Sequence, residues 1–299
     1  MINVCKFMPA PILAVVGFCI QPALADENLF GYISGAETLP KGANEAYTRL
    51  TYRDDKGIGD YHAFDVEAEY ERGITSRLTG TLALQGLSID TEDILIDAYI
   101  PGDKDYGLKP SGVEGRLKYM FLSPAKDIIG LSSRVTLEYQ WLDMHSGQDK
   151  DTTSFTTDMQ LQKNFLDDQL VTVANVGLEA TYAKRHSISN LPPGFEWPTD
   201  PEMEIEFAAG GGIMYRFAPR WFLGAETIYE TEWETEVGQE RWSLFAGPTL
   251  HYASNVWWTT LTWLPQIVGG GPPYPGQTDD LQLIEKTKQE IRFQIGFNF

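Results

Sequence analysis

The strongest constraint on this chain is a period-two alternation of apolar and polar residues, which recurs in segments of about ten residues. In HAFDVEAEYE (62–71), for example, Phe64 and Val66 alternate with Asp65 and Glu67. Successive side chains of a β-strand point to opposite faces of the sheet, so each segment predicts a strand with one apolar and one charged face. About twelve such segments follow residue 45, and none has a convincing helical period. LVTVANVGLEATY (170–182) alternates less cleanly than the others.

The first 25 residues predict a cleaved export signal. Lys6 is the only charged residue there, the apolar run 7–20 is too short for a membrane-spanning helix, and ALA at 23–25 has the small-residue cleavage pattern. Both cysteines, Cys5 and Cys19, lie within this segment. The mature chain is therefore predicted to contain no disulfide.

Composition narrows the class of protein further. The chain has 42 Asp and Glu against 23 Lys and Arg, a formal net charge of −19. Because there is no basic stripe, nucleic acid is not a predicted partner, and the 12% aromatic content argues against disorder. No apolar stretch after the signal is long enough for a transmembrane helix. A chain of this kind that spans a membrane would have to form a closed barrel, because only a closed sheet satisfies its backbone hydrogen bonds in lipid.

The connections and the aromatic residues favour such a barrel. Short connections (GITS, LSPAKDIIG, LDDQ, APR and SN) alternate with longer, acidic ones, and aromatic residues cluster at both ends of the segments. The longer connections are predicted at 54–60, 88–112, 143–153, 184–202, 234–240 and 265–285. The fold prediction is all-β: a transmembrane antiparallel β-barrel of about twelve strands with short periplasmic turns and long extracellular loops. The predicted division is 1–25 signal peptide, 26–43 periplasmic N-terminal lead-in, and 44–299 a single β-barrel domain.

The chain ends on an alternating strand with a terminal aromatic residue. Its apolar positions are Ile291, Phe293, Ile295, Phe297 and Phe299. This ending resembles the C-terminal assembly signal of Gram-negative outer-membrane proteins, and TLPKG (38–42) is similar to the lead-in of several porin-like families. In pattern, the whole mature chain resembles an uncharacterised outer-membrane barrel family whose members carry no assigned activity. The resemblance implies an outer-membrane location, contact with lipid and lipopolysaccharide, and recognition by the barrel-assembly machinery. It implies no chemistry and no oligomeric state.

The charged face of the strands would line the lumen of this barrel. The predicted lumen-lining charges are Asp65, Glu67, Glu69, Glu114, Arg116, Lys118, Arg134, Glu138, Glu204, Glu206, Arg216, Glu226, Glu230, Arg241 and Arg292. Charges of both signs on one face predict either a wet channel or a salt-bridged plug. The glycines of AAGGGI (208–213) predict a bend in the wall or the close approach of something inside the barrel.

Three functions follow as hypotheses. The first is a narrow passive channel or small-solute transporter that prefers cations, because acids slightly outnumber bases inside and the outer loops are acidic. The second is a non-conducting barrel with a structural or binding role for its acidic extracellular loops. The third is a lipid-acting enzyme, since HSISN (186–190) resembles the H-x-S-N-G motif of an outer-membrane phospholipase. The spacing differs by one residue, which on a strand would turn Ser189 away from His186.

No catalytic residue, metal site or cofactor is predicted. The chain lacks H-E-x-x-H and Cys/His ligand spacings. Its acidic runs at 90–93, 149–151 and 278–280 predict at most weak Ca²⁺ binding.

Overall fold

The computed structural model describes residues 28–95, 104–188, 197–234 and 238–299. The predicted signal peptide lies outside these ranges. Across the described ranges, no helix has the length and apolar character needed to cross a membrane.

The described residues form twelve antiparallel strands that close into a barrel, which confirms the predicted fold class. Each strand pairs with its neighbours in sequence, and β1 pairs with β12 to close the sheet. The strands are β1 Asn44–Asp54, β2 Ile58–Thr75, β3 Leu78–Leu95, β4 Lys104–Leu122, β5 Gly130–Leu142, β6 Asp149–Phe165, β7 Leu170–Arg185, β8 Glu202–Ala218, β9 Trp221–Glu234, β10 Gly238–Ala253, β11 Trp257–Gly270 and β12 Gln289–Asn298.

The last strand closes the barrel up to the final residue. In the β1–β12 register, Ala46 lies opposite Phe297, and Asp54 lies opposite Gln289. Asn44 and Phe299 exchange two backbone hydrogen bonds, of 3.1 and 3.0 Å. The end of the barrel where β1 begins and β12 finishes is called the turn end here, and the opposite end the loop end.

The outer face of the barrel is apolar. Leu82 and Leu137, for example, are 69% and 60% exposed although both lie in the middle of strands. Aromatic side chains gather near the ends: Trp221 and Trp257 each contact Tyr252 at the turn end, with ring centroids 4.8 and 4.9 Å apart. A band of exposed aliphatic residues between aromatic ones suits a lipid bilayer.

The strands extend further toward the loop end than the sequence predicts. β3 ends at Leu95 and β4 begins at Lys104, so most of the predicted loop 88–112 is strand. The strands also take in 54 and 58–60 of the predicted loop 54–60, and 234 and 238–240 of the predicted loop 234–240. The pairing of β2, β3 and β4 shifts register in this region. At each shift the residues that follow exchange the inner and outer faces of the barrel. The alternation of apolar and polar residues is therefore interrupted there, although the strand continues. The longest connections of the loop end are 186–201 and 271–288.

The N-terminal segment, residues 28–39, lies inside the barrel. Leu29, Phe30 and Ile33 are buried and pack against Val171 and Val173 on the inner face of β7. These residues belong to the predicted periplasmic lead-in 26–43, whose own sequence does not predict a position inside the lumen.

Glycines of β8 make room for the N-terminal segment. A Cβ atom on Gly212 would lie 2.5 Å from Ile33 Cδ1 and 2.6 Å from Phe30 Cε1, and one on Gly210 would lie 2.7 Å from Ile33 Cγ2. Of the two interpretations of AAGGGI, close approach of a segment inside the barrel is therefore the correct one.

The barrel lumen as candidate functional site

Charged side chains line the inner face of most strands. On the inner face are Asp65, Glu67, Glu69, Glu114, Arg116, Lys118, Arg134, Glu138, Glu204, Glu206, Arg216, Glu226, Glu230, Arg241 and Arg292. Arg216 stands apart at the turn end, where its Nη2 donates to the Asp167 carbonyl at 3.4 Å. The apolar residues of the last strand, Ile291, Phe293, Ile295, Phe297 and Phe299, lie on the outer face.

Glu226 anchors the N-terminal segment. Its carboxylate accepts hydrogen bonds from the backbone N–H groups of Gly31, Tyr32 and Ile33, at 2.8, 2.8 and 3.2 Å. Successive backbone N–H groups that converge in this way form a nest for an anion. The hydroxyls of Thr249 and Thr262 donate to the same carboxylate, at 2.7 and 2.9 Å. Both carboxylate oxygens of Glu226 therefore accept hydrogen bonds from the N-terminal segment, and the side chain does not face open water.

The segment also contacts the wall formed by β12, where the inward side chain of Arg292 meets it. The Arg292 guanidinium carbon lies 3.6 Å from the Tyr32 ring centroid, and Nη1 donates to the Gly31 carbonyl at 3.1 Å. The Tyr32 hydroxyl donates to Glu290 at 2.8 Å. On the other side, Ser34 and Asn175 exchange two hydrogen bonds, of 2.7 and 2.9 Å. The segment is thus fixed to several strands and narrows the lumen.

Paired charges line β1, β2 and β4. Arg49 contacts Glu67 at 2.5 Å and Glu69 at 3.1 Å, while Arg116 contacts Glu69 at 2.5 Å and also pairs with Glu114. We call these five residues the arginine–glutamate cluster. In a narrow lumen such pairs are screened less than surface pairs, so the attraction within the cluster is stronger than between exposed charges.

The register of β4 and β5 does not place opposite charges across from each other. In the observed register Glu114 lies opposite Glu138, and Lys118 lies opposite Arg134, so like charges face each other. Arg134 instead pairs with Asp158 on β6 at 2.9 Å. Glu138 accepts hydrogen bonds from amide side chains. Alternation predicts which face a charge occupies, but the register decides its partner.

Between the N-terminal segment and the loop end, the lumen contains an acidic chamber of about 320 Å³. Among the described residues, its lining has ten carboxyl residues against four Lys or Arg. The carboxyl residues are Asp65, Glu138, Asp143, Glu179, Glu204, Glu206, Glu230, Glu232, Glu285 and Glu290. The basic ones are Arg53, Lys150, Lys286 and Arg292. Such an excess of carboxylates attracts cations and repels anions.

Two connections fold over the chamber at the loop end. The Met144 carbonyl accepts from Arg53 at 2.6 Å, and the Glu285 carbonyl accepts from the fully buried Lys56 at 2.9 Å. Burial, together with the nearby Lys56, lowers the pKa of His145 well below its ordinary value, so this ring is neutral at pH 7. Burial opposes charge on Lys286, but nearby glutamates outweigh it and raise its pKa well above the usual range. A charged lysine thus projects from the loop into the chamber.

Smaller cavities continue the chamber toward the turn end. A cavity of about 200 Å³ shares Tyr32, Glu138 and Arg292 with the chamber. Beyond it, a cavity of about 30 Å³ lies between Ser34 and the wall at Arg116. A space of that size holds about one water molecule. The N-terminal segment bounds all three of these cavities, including the one of about 30 Å³.

The other predicted sites are only partly described. His186 Nε2 lies 2.9 Å from Asp151, whereas Ser189 and Asn190 of HSISN lie outside the described residues. Within the described ranges, no group of three or more His, Cys, Asp or Glu residues is arranged to hold a metal ion. Weak Ca²⁺ binding by the acidic loops stays a prediction.

A closed twelve-stranded barrel with an apolar outer face and a charged lumen is the fold of outer-membrane β-barrel proteins. The COG4313 outer membrane channel from Pseudomonas putida F1 is similar, with a TM-score of 0.55, 12% identity, and coverage of 88% of this chain and 98% of that chain. The β-domain of the Bordetella autotransporter BrkA has a TM-score of 0.54 and 13% identity, covering 87% of this chain and 100% of that chain. At these identities the likeness is one of fold.

Residues 22–299 match the Family of unknown function (DUF6662), and the chain belongs to this family. No curated protein matches the sequence. The NanC porin structure is a more distant relative in fold, with a TM-score of 0.45 and 11% identity over 84% of this chain and 98% of that chain.

Proposed function

We propose that the protein is a narrow passive channel of the Gram-negative outer membrane that prefers small cations. The observation that carries this proposal is the excess of carboxylates over basic side chains in the described lining of the acidic chamber. The adjoining cavities, which are lined by polar side chains of both signs, are the proposed continuation of the cation route past Tyr32. The arginine–glutamate cluster and the N-terminal segment keep that route narrow, so the conductance should be small.

Reversal potentials in planar bilayers test the cation preference. Under a KCl gradient the wild-type channel should be more permeable to K⁺ than to Cl⁻, and the preference should weaken at high salt because screening shortens the reach of the carboxylates. Changing Glu138→Gln together with Glu179→Gln should bring the permeability ratio at least about halfway to unity, since each change removes a charge but keeps an acceptor oxygen.

The matched control is Asp167→Asn with Asp168→Asn, two exposed acids in the turn between β6 and β7. This control should leave the ratio unchanged. A clear anion preference of the wild-type protein would refute the proposal.

The proposed location has its own test. Because a closed barrel resists unfolding by detergent at room temperature, the protein should fractionate with outer membranes and migrate differently on gels before and after boiling. Recovery as a soluble periplasmic protein would contradict the location.

A non-conducting barrel is the alternative function that one observation favours. The N-terminal segment, anchored at Glu226, and the connections around Met144 and Glu285 occupy both halves of the lumen. Complete absence of conductance in wild-type protein that is folded in bilayers would support this second function instead.

A further inference from the structure

The acidic chamber already contains one ammonium group, which belongs to the chain itself. Lys286, in the connection between β11 and β12, places its Nζ 2.7 Å from Glu230 Oε2 and 3.6 Å from Glu206 Oε2. Here one ammonium group contacts a single oxygen of each of two glutamates. An arginine guanidinium would instead favour bidentate contact with both oxygens of one carboxylate. The position is therefore shaped for a primary ammonium.

Further carboxylates continue beyond this position along the same two strands. Glu206 lies directly opposite Glu232 in the β8–β9 pairing, and Glu204 and Glu230 are each two residues away along their own strands. Two residues of a strand span about 6.6 Å. An extended alkyl diamine with four or five methylene groups bridges such a distance.

Several buried polar atoms of the chamber lining have no hydrogen-bond partner among the described residues. Glu232 is 5% exposed and Thr287 is 1% exposed, and both line the chamber. Glu232 Oε1 and Thr287 Oγ1 lack partners, while the other oxygen of Glu232 lies 3.7 Å from Arg241. Leaving buried polar atoms unpaired costs free energy, and a ligand ammonium would satisfy them.

We propose that the chamber is a binding site for alkyl diamines and related polyamines, with one ammonium position at Glu206 and Glu230 and the second at Glu232 and Glu204. Lys286 occupies the first position when no ligand is bound, so a diamine must displace it. The volume of about 320 Å³ suits a small organic molecule and is far larger than a bare metal ion needs. The inference rests on the lumen being the functional site proposed above, but it does not require conduction.

Displacement of Lys286 would also affect the connection that carries it. The side chain of Gln266 on β11 binds this connection on both sides of Lys286. It accepts a hydrogen bond from the Gln282 N–H at 2.6 Å and donates one to the Thr287 carbonyl at 3.1 Å. These anchors do not involve Lys286, so the side chain can leave the glutamates while the turn stays attached to the wall.

Isothermal titration calorimetry of the full mature protein in detergent tests the proposal, with 1,4-diaminobutane and 1,5-diaminopentane as probes. Both should bind, whereas butylamine and 1,4-butanediol should bind at least about tenfold more weakly, because each lacks at least one charge-assisted contact. Glu206→Gln with Glu230→Gln should weaken diamine binding by at least about tenfold for the same reason. The control Asp167→Asn with Asp168→Asn should bind like wild type.

Lys286→Met gives a result that misfolding cannot imitate. It removes the internal competitor, so diamine affinity should increase rather than decrease. Equal binding of diamine and butylamine, unchanged binding in the double glutamine variant, or no gain in Lys286→Met would each overturn the inference. Diamine binding by a barrel without conductance would refute the proposed channel and leave this inference standing. A cation-selective channel that does not bind diamines would support the proposed channel and refute this inference.

Discussion

Deletion of residues 28–39 should increase the single-channel conductance by at least about twofold. A twelve-stranded barrel measures about 24 Å between opposite backbones, and an extended segment with its side chains occupies about 10 Å of that width. The segment also bounds the narrow cavity of about 30 Å³ toward the turn end. The deletion leaves residues 1–27 and β1 unchanged, and planar-bilayer recordings measure its effect.

A point substitution offers a milder version of the same test. A Cβ atom on Gly31 would lie 2.5 Å from Thr262 Oγ1, so Gly31→Ala should loosen the segment from Glu226 and increase the conductance. The matched control is Gly107→Ala, where a Cβ atom would meet nothing within 4 Å. Equal conductance of wild type and the deletion would show that the segment does not limit the pore.

Phe297→Asp combined with Phe299→Asp should reduce the folded barrel in cells by at least about tenfold, although charges near the membrane interface cost only about 1 kcal/mol or less each. That cost is too small to unfold a closed barrel. The loss should therefore arise during assembly, where the proposed partner is the barrel-assembly machinery that reads the last strand. The level of the heat-modifiable form in outer membranes measures it.

Refolding of the purified double variant in detergent separates the two causes. If recognition is lost, refolding in vitro should be close to wild type while assembly in cells fails. Asn298→Asp, on the inner face of the same strand, adds a charge without changing the aromatic positions and should assemble normally. Wild-type membrane levels of the double variant would disprove the role of the terminal aromatics.

The sequence predicted the barrel because period-two alternation follows directly from strand geometry. The faces of β2 and β12 could be assigned from their own residues, without knowledge of their neighbours. Strand ends were harder to predict. The register shifts near Gly86 and Asp60 interrupt the alternation, so the sequence there predicts a loop where the strand in fact continues.

The contents of the lumen could not be predicted in the same way, because they depend on contacts between residues far apart in sequence. Lys286 reads as an ordinary loop lysine, and only the fold brings it to Glu206 and Glu230. Two features of the sequence nevertheless indicate that a segment lies inside the barrel. The glycines of AAGGGI allow its approach, and β7 alternates poorly because Val171 and Val173 turn inward to pack against it.

The anchoring of the segment at Glu226 has a consequence for the order of folding. Gly31 is separated from Glu226 by 195 positions and from Arg292 by 261, so its partners are synthesised long after it. Contacts of such long range form late, because the intervening chain must first be ordered. The N-terminal segment is thus among the last parts of the chain to dock, and protection of its amide hydrogens from exchange should appear only after β9 and β12 have joined the sheet.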